Sequence, residues 1–297
     1  MSSEHEQIVL ETGRRVAVHR LVDGDLARTV VLCHPTPGAG AFDPDPEQTW
    51  RRGVTLLGVD RPGYGYSDPL PDSAGGTVAA AADDLAAVLD RLETGPVGVA
   101  GWSIGGCVAL ALAARRPDLV GRVAVLATPA PHDQVPWIPA KQQAILDALR
   151  DLAPDKVHPT LRRQLEPLMS QIVGSDELVA VLAAGHVDKA GLAGGGARER
   201  LDHMLKAAFA QGVTGMARDI ARYYLQPWGF EFDAVEAKAL LLYGSADPVA
   251  GSRHGTWWQK RLPAARLEVS PGAGHLLILD RWKRVLSHLA PHAQRQS

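Results

Sequence analysis

A chain of 297 residues lies near the upper size for a single hydrophobic core, so one α/β domain carrying an inserted subdomain fits better than two independent domains. Lys and Arg (31) nearly balance Asp and Glu (33), with no long run of either sign, which argues against a nucleic-acid or anionic-membrane partner. Residues 1–7 carry no basic or apolar targeting pattern, no apolar run is long enough to span a bilayer, and neither Cys-x-x-Cys nor His-Glu-x-x-His occurs. The expectation is a cytoplasmic protein with a small-molecule partner and neither metal nor cofactor; Cys33 and Cys107 read as small buried hydrophobes.

In chain order, residues 7–12 and 14–22 predict two strands meeting at Gly13 in an antiparallel edge hairpin. Residues 29–33 form a near-continuous apolar run, the mark of a strand buried on both faces. It feeds a stiff loop, His34-Pro35-Thr36-Pro37-Gly38-Ala39-Gly40. The strand at 54–59 ends in a second such loop, Asp60 to Ser67, and an Ala-rich helix follows over about 77–92 with Thr77 as its cap. Residues 96–100 then form a short strand running into Gly101-Trp102-Ser103-Ile104-Gly105-Gly106, and a helical pattern follows, closed by Arg115-Arg116-Pro117. A serine squeezed between strand and helix is forced toward positive φ, where a nearby Cβ would collide with the turn, so Gly101 and Gly105 are required; its hydroxyl then projects above the sheet edge at a helix N-terminus. After a strand over 120–127 the alternation stops.

Residues 130–232 show no convincing strand. Helical periodicity runs over 140–152, 160–172, 176–184 and 198–224, and Gly191 to Gly196 reads as a flexible joint. This block reads as a helical cap inserted between two parts of an α/β core, residues 1–129 and 233–297. The core pattern resumes with strands at 239–243 and 265–269 and helices at 251–262 and 276–289, giving a mostly parallel central sheet flanked by helices.

In such a sheet the site lies beyond the strands' carboxyl ends, where the loops at 34–40 and 60–67 converge on Ser103. A serine hydroxyl is a weak nucleophile at neutral pH, so Ser103 needs a base, and the base needs an orienting acid. Of the 11 histidines, His275 alone lies in a Gly-rich strand-to-helix loop on that rim. His158, His186 and His203 fall in the cap block and His288 and His292 near the end of the chain, where solvated or capping roles are expected. His254 sits in a helical pattern, and His34 is expected to hydrogen-bond structurally. Asp247, in an Ala-Asp-Pro turn at a strand end, is the expected acid, with Asp133 as the alternative and Asp60 bonding its own loop.

These motifs resemble the α/β-hydrolase superfamily from about residue 8 to 290: the His34 to Gly38 loop, Asp60 to Ser67, Gly-Trp-Ser-Ile-Gly at 101–105, Asp247, and Gly274-His275, in the order Ser, Asp, His. The resemblance implies an α/β-hydrolase fold, an oxyanion hole made by the N–H groups of Thr36 and Ile104, and a serine hydrolase that forms an acyl-enzyme on a small hydrophobic ester, thioester or lactone. That loop opens His-Pro where the superfamily has His-Gly; prolines have no N–H, so among residues 35–37 only Thr36 donates. Serine at 103 speaks against the epoxide- and haloalkane-cleaving branches, which use aspartate. Carbon–carbon hydrolases and proline-releasing aminopeptidases keep the same triad, and a lyase, cyclase or ligand-binding protein on this fold also stays open. For Trp102, Met204 and Met216 two readings stand side by side: a substrate-facing wall, in the company of a Phe- and Tyr-rich cap, or ordinary core packing.

Overall fold

A computed structural model describes residues 5–71, 77–173, 175, 177–182 and 186–291, of which Ala190 is described in its backbone alone. No helix among the described residues is long and apolar enough to cross a membrane.

Among the described residues, eight strands form one sheet: β1 (His5–Val9), β2 (Arg15–Val22), β3 (Asp25–Cys33), β4 (Val54–Val59), β5 (Val97–Trp102), β6 (Val120–Leu126), β7 (Lys238–Gly244) and β8 (Ala265–Ser270). Their order is β1-β2-β4-β3-β5-β6-β7-β8. β1 pairs antiparallel with β2, and β2 with β4, whereas every other pairing is parallel. The edge hairpin and the parallel body thus agree with the alternating and continuous apolar patterns of the chain.

Among the described residues, ten α-helices accompany the sheet: α1 (Pro46–Arg52), α2 (Val78–Arg91), α3 (Gly105–Arg115), α4 (Ala140–Arg150), α5 (Pro154–Ile172), α6 (Lys189–Ala193), α7 (Ala197–Ala208), α8 (Thr214–Ile220), α9 (Ser252–Gln259) and α10 (Ile278–Leu289). Thr77 caps α2 as expected, its hydroxyl accepting from Ala80 N–H at 3.1 Å. In α10 the buried residues Ile278, Trp282, Val285, Leu286 and Leu289 recur at helical spacing and lie on the sheet. Helices cover both faces. A Cβ on Gly98 would meet Leu289 of α10 at 2.7 Å, whereas one on Gly101 would meet Gly106 of α3 at 2.5 Å. Alternate residues of a strand point to opposite faces, so α3 and α10 sandwich β5.

Between β6 and β7 the described elements are all helical, but their boundaries differ from the periodicity. The stretch 198–224 breaks at Phe209–Val213, where Gly212 takes φ +62°, and ends in a π-helical turn over Ala221–Leu225. Of the run at 176–184, Leu178–Leu182 is a 3₁₀ turn; Asp176, Ala183 and Ala184 lie outside the described residues, as does His292. The expected glycine joint is in part helical, because α6 takes up Gly191 to Ala193. Helix α1 is an addition: Asp45 accepts from Gln48 N–H at 3.1 Å, Pro46 opens the helix, and Gly53 closes it at φ +62°.

Because β3 to β8 run parallel, their carboxyl ends share one rim. Register places Cys33 beside Gly101 and Trp102 beside Leu126, so the loops leaving β3, β5 and β6 are neighbours.

Candidate active site

Ser103 follows β5 with φ +54°, the strained left-handed conformation expected of a residue between strand and helix. The flanking glycines permit it: a Cβ at Gly105 would collide with the Cys33 and His34 carbonyls, and one at Gly106 with the Thr128 hydroxyl.

His275 Nε2 lies 3.2 Å from Ser103 Oγ, and its Nδ1 lies 2.8 Å from Asp247 Oδ2. A carboxylate only accepts, so Nδ1 carries the proton and Nε2 is left to accept from the serine hydroxyl. The other Asp247 oxygen, Oδ1, accepts from Val249 N–H at 2.8 Å and Ala250 N–H at 3.0 Å. Burial opposes its charge, yet the His275 contact and these N–H groups hold Asp247 below the usual carboxylate range. Asp133 is solvent-exposed, bonds the Gln134 side chain and is not the partner of His275.

Several other histidines have their own partners. His34 accepts from Arg61 N–H at 3.2 Å and donates to Pro35 O at 2.8 Å; burial and the adjacent Arg61 guanidinium push it down to about 3, so it stays neutral. His254 accepts from Ala130 N–H at 3.0 Å, and burial together with Arg253 lowers it to about 4. His158 differs from the expected solvated or capping role: it is buried and bridges α5 to the Thr214 carbonyl of α8 at 3.1 Å. His186 and His203 are exposed, and His288 sits against the Lys238 carbonyl at 2.9 Å. Asp60 bonds its own loop at Tyr66 N–H, 3.0 Å, and also reaches Gly40 N–H at 2.6 Å and His19.

The His254 environment makes a prediction about acid stability. A group whose folded pKa is depressed contributes stability above its unfolded value, lost as pH falls toward the folded one. Between pH 6.5 and about 4, unfolding therefore takes up a proton at His254. His254→Asn keeps an acceptor for Ala130 N–H, and its urea midpoint should fall less steeply than the parent's across that interval. Parallel curves would remove His254 from the acid-sensitive groups.

Thr36, Ser103, Ile104 and His275 line a cavity of 540 Å³, with Met216 and Ile220 of α8 among its apolar walls. Among the described residues, no hydrogen bond occupies the N–H of Thr36 or of Ile104, the two expected oxyanion donors. The residues expected to bind substrate divide. Met216 is on the cavity wall. Met204 is fully buried among Leu201, Leu205 and Phe209 and belongs to the core, because its face of α7 points inward. Trp102 is also fully buried and lies off the wall, as alternation along β5 sends it behind the serine, where its indole N–H donates to His275 O at 3.0 Å. Of the Phe- and Tyr-rich cap residues only Tyr224 reaches this cavity; Trp228 stacks on Trp258 and Phe232 meets the same ring edge-on, with centroids 5.7 and 5.3 Å away.

Sequence reasoning missed the residues that hold the loop of Thr36, the expected oxyanion donor. Arg61 donates to His34 O at 2.6 Å, Pro35 O at 2.9 Å and Thr36 Oγ1 at 3.0 Å, and pairs with Asp219 of α8. The Pro-rich loops marked Arg61 as rim-located, but nothing in the chain marks Asp219 as its partner, 158 residues away.

Comparison with known proteins agrees with this architecture. The chain is 29% identical over 240 residues to a pimeloyl-[acyl-carrier protein] methyl ester esterase of Chromobacterium violaceum, covering 80% of this chain and 84% of that one. It is 27% identical over 274 residues to a 2-hydroxy-6-oxononadienedioate/2-hydroxy-6-oxononatrienedioate hydrolase of Burkholderia vietnamiensis, covering 90% and 87%. An esterase from Exiguobacterium antarcticum superposes with a TM-score of 0.69 at 18% identity, over 96% of this chain and 97% of that one. The sequence model of the alpha/beta hydrolase fold matches residues 28–281, and with the sheet order and the strand-to-helix serine it establishes that the chain belongs to the alpha/beta hydrolase fold family.

Proposed function

We propose that the chain is a cytoplasmic serine esterase that cleaves a small, hydrophobic carboxylic ester through an acyl-enzyme on Ser103. In this reading His275 takes the serine proton and returns it to the leaving alcohol, Asp247 orients the imidazole, and the N–H groups of Thr36 and Ile104 receive the oxyanion. Residues 1–129 and 233–297 form the core, and 130–232 the cap over the acyl pocket. The observation that carries the reading is the hydrogen-bonded series Ser103–His275–Asp247 at the floor of a 540 Å³ cavity with mainly apolar walls.

A carbon–carbon hydrolase is the competing reading, and one relative is named a 2-hydroxy-6-oxononadienedioate/2-hydroxy-6-oxononatrienedioate hydrolase. A dienedioate carries two carboxylates, and burying them without a cation is costly. No Lys or Arg is among the described residues lining the cavity, which favours a neutral ester. A panel of nitrophenyl esters of increasing acyl length, run beside lactones, thioesters and a dienedioate, tests the choice. Fastest turnover on medium-chain esters supports the esterase; turnover of the dienedioate alone overturns it.

The two methionines test the pocket. Met216→Ala should change the ratio of kcat/KM between short and long acyl esters by about 5-fold, each methylene of mismatch being worth roughly 1 kcal/mol. Met204→Ala should leave that ratio alone and cost about 2–5 kcal/mol of stability through a core cavity. A selectivity change at Met204 without loss of melting temperature would reverse the assignment.

A further inference from the structure

The oxyanion loop is held by a buried ion pair that reaches it from the cap. Arg61, at the start of the loop after β4, is 7% exposed and Asp219, in α8, is 2% exposed. The guanidinium donates to the carbonyl of Pro35 at 2.9 Å, and His34 Nδ1 donates to the same oxygen at 2.8 Å. That carbonyl shares a planar peptide group with Thr36 N–H, so fixing one end of the plane aims the other end the opposite way. A cation at the carbonyl also polarises the peptide and makes its N–H a stronger donor. Asp219 completes the clamp, accepting from the Thr36 hydroxyl at 2.6 Å and from Arg61 Nε at 3.1 Å.

The clamp joins two parts of the chain with different jobs. Asp219 shares α8 with Met216 and Ile220, which line the cavity. A second carboxylate from the same helical region, Asp188, accepts from Leu276 N–H at 3.0 Å, one residue past His275. The cap helices therefore hold both the oxyanion loop and the histidine loop. Arg222 adds a further buried guanidinium 3.7 Å from Asp219.

We propose that Arg61, held by Asp219, is a positioning residue that aims and polarises the Pro35–Thr36 peptide, so that seating of α8 over the acyl chain sets the strength of the oxyanion hole. This rests on the reading of Ser103 as nucleophile and Thr36 N–H as oxyanion donor. The step acts on the tetrahedral intermediate and not on the ground state, so its loss should fall on kcat.

The test uses the full-length enzyme with a nitrophenyl ester and with an alkyl trifluoromethyl ketone, which forms a tetrahedral adduct on an activated serine. Asp219→Asn should lower kcat by about 10- to 100-fold with KM within about 2-fold, and weaken the ketone by the same factor as kcat/KM. Arg61→Lys keeps the buried charge pair but cannot span both carbonyls and the carboxylate, so kcat should fall about 10-fold with the same signature. Asp219→Glu should recover part of the Asn loss. If Asp219→Asn does not fold, Arg61→Lys decides. Folded variants that retain kcat and ketone affinity, or lose only KM, overturn the proposal. A parent enzyme that fails to turn over esters, or turns them over equally well as Ser103→Ala, overturns the esterase reading instead.

Discussion

Ser103→Ala should abolish ester turnover, lowering kcat on the order of 10⁶-fold, and should eliminate labelling by a fluorophosphonate. The change removes one oxygen from the floor of a cavity. The φ of +54° is unfavourable for alanine and serine alike, so the strain is the same in both proteins and the fold should survive. The melting temperature is the control. A folded variant that keeps turnover would place the nucleophile elsewhere.

Asp247→Asn should cost about 10³ to 10⁴ in kcat. Asp247 accepts three hydrogen bonds, from His275 and from two backbone N–H groups. An amide in its place presents either its oxygen to the imidazole, leaving the N–H groups of Val249 and Ala250 facing an NH₂, or its NH₂ to the imidazole. The second arrangement turns the ring to the tautomer whose Nε2 already carries a proton and cannot take one from Ser103. Because the parent's Asp247 is held below the usual carboxylate range, it stays ionised throughout the neutral range and accepts from Nδ1–H there. His275→Ala should be as severe as Ser103→Ala, and the double variant no worse than either, since both remove the same step. Near-parental kcat in Asp247→Asn, measured on the same ester, would separate the acid from this carboxylate.

The core was legible because its signals are local. Apolar runs at 29–33 and 54–59 can only be buried strands, and Gly101, Gly105 and Gly106 bracket a serine that needs their missing side chains. Ser103, Asp247 and His275 each sit at a strand end where a parallel sheet gathers its loops, which is why they meet although 172 residues separate the serine from the histidine. Helix α1 was missed for want of an apolar stripe: of its residues only Thr49 is buried, and its signals are the Asp45 cap, Pro46 and Gly53. Met204 and Met216 show where periodicity runs out, since both lie in the same helical block and only packing says that one faces the core and the other the cavity. The Arg61–Asp219 pair is illegible for another reason: the two residues lie 158 positions apart, and burial of a charge is a property of the assembled fold.

The most direct test of the central claim is the mass of the enzyme during turnover. Rapid acid quench of the protein mixed with a slow nitrophenyl ester should show a population heavier by one acyl group, and digestion should place that group on the peptide containing Ser103. An enzyme that stays unmodified through turnover, or carries the acyl group on any other residue, would contradict the acyl-enzyme account.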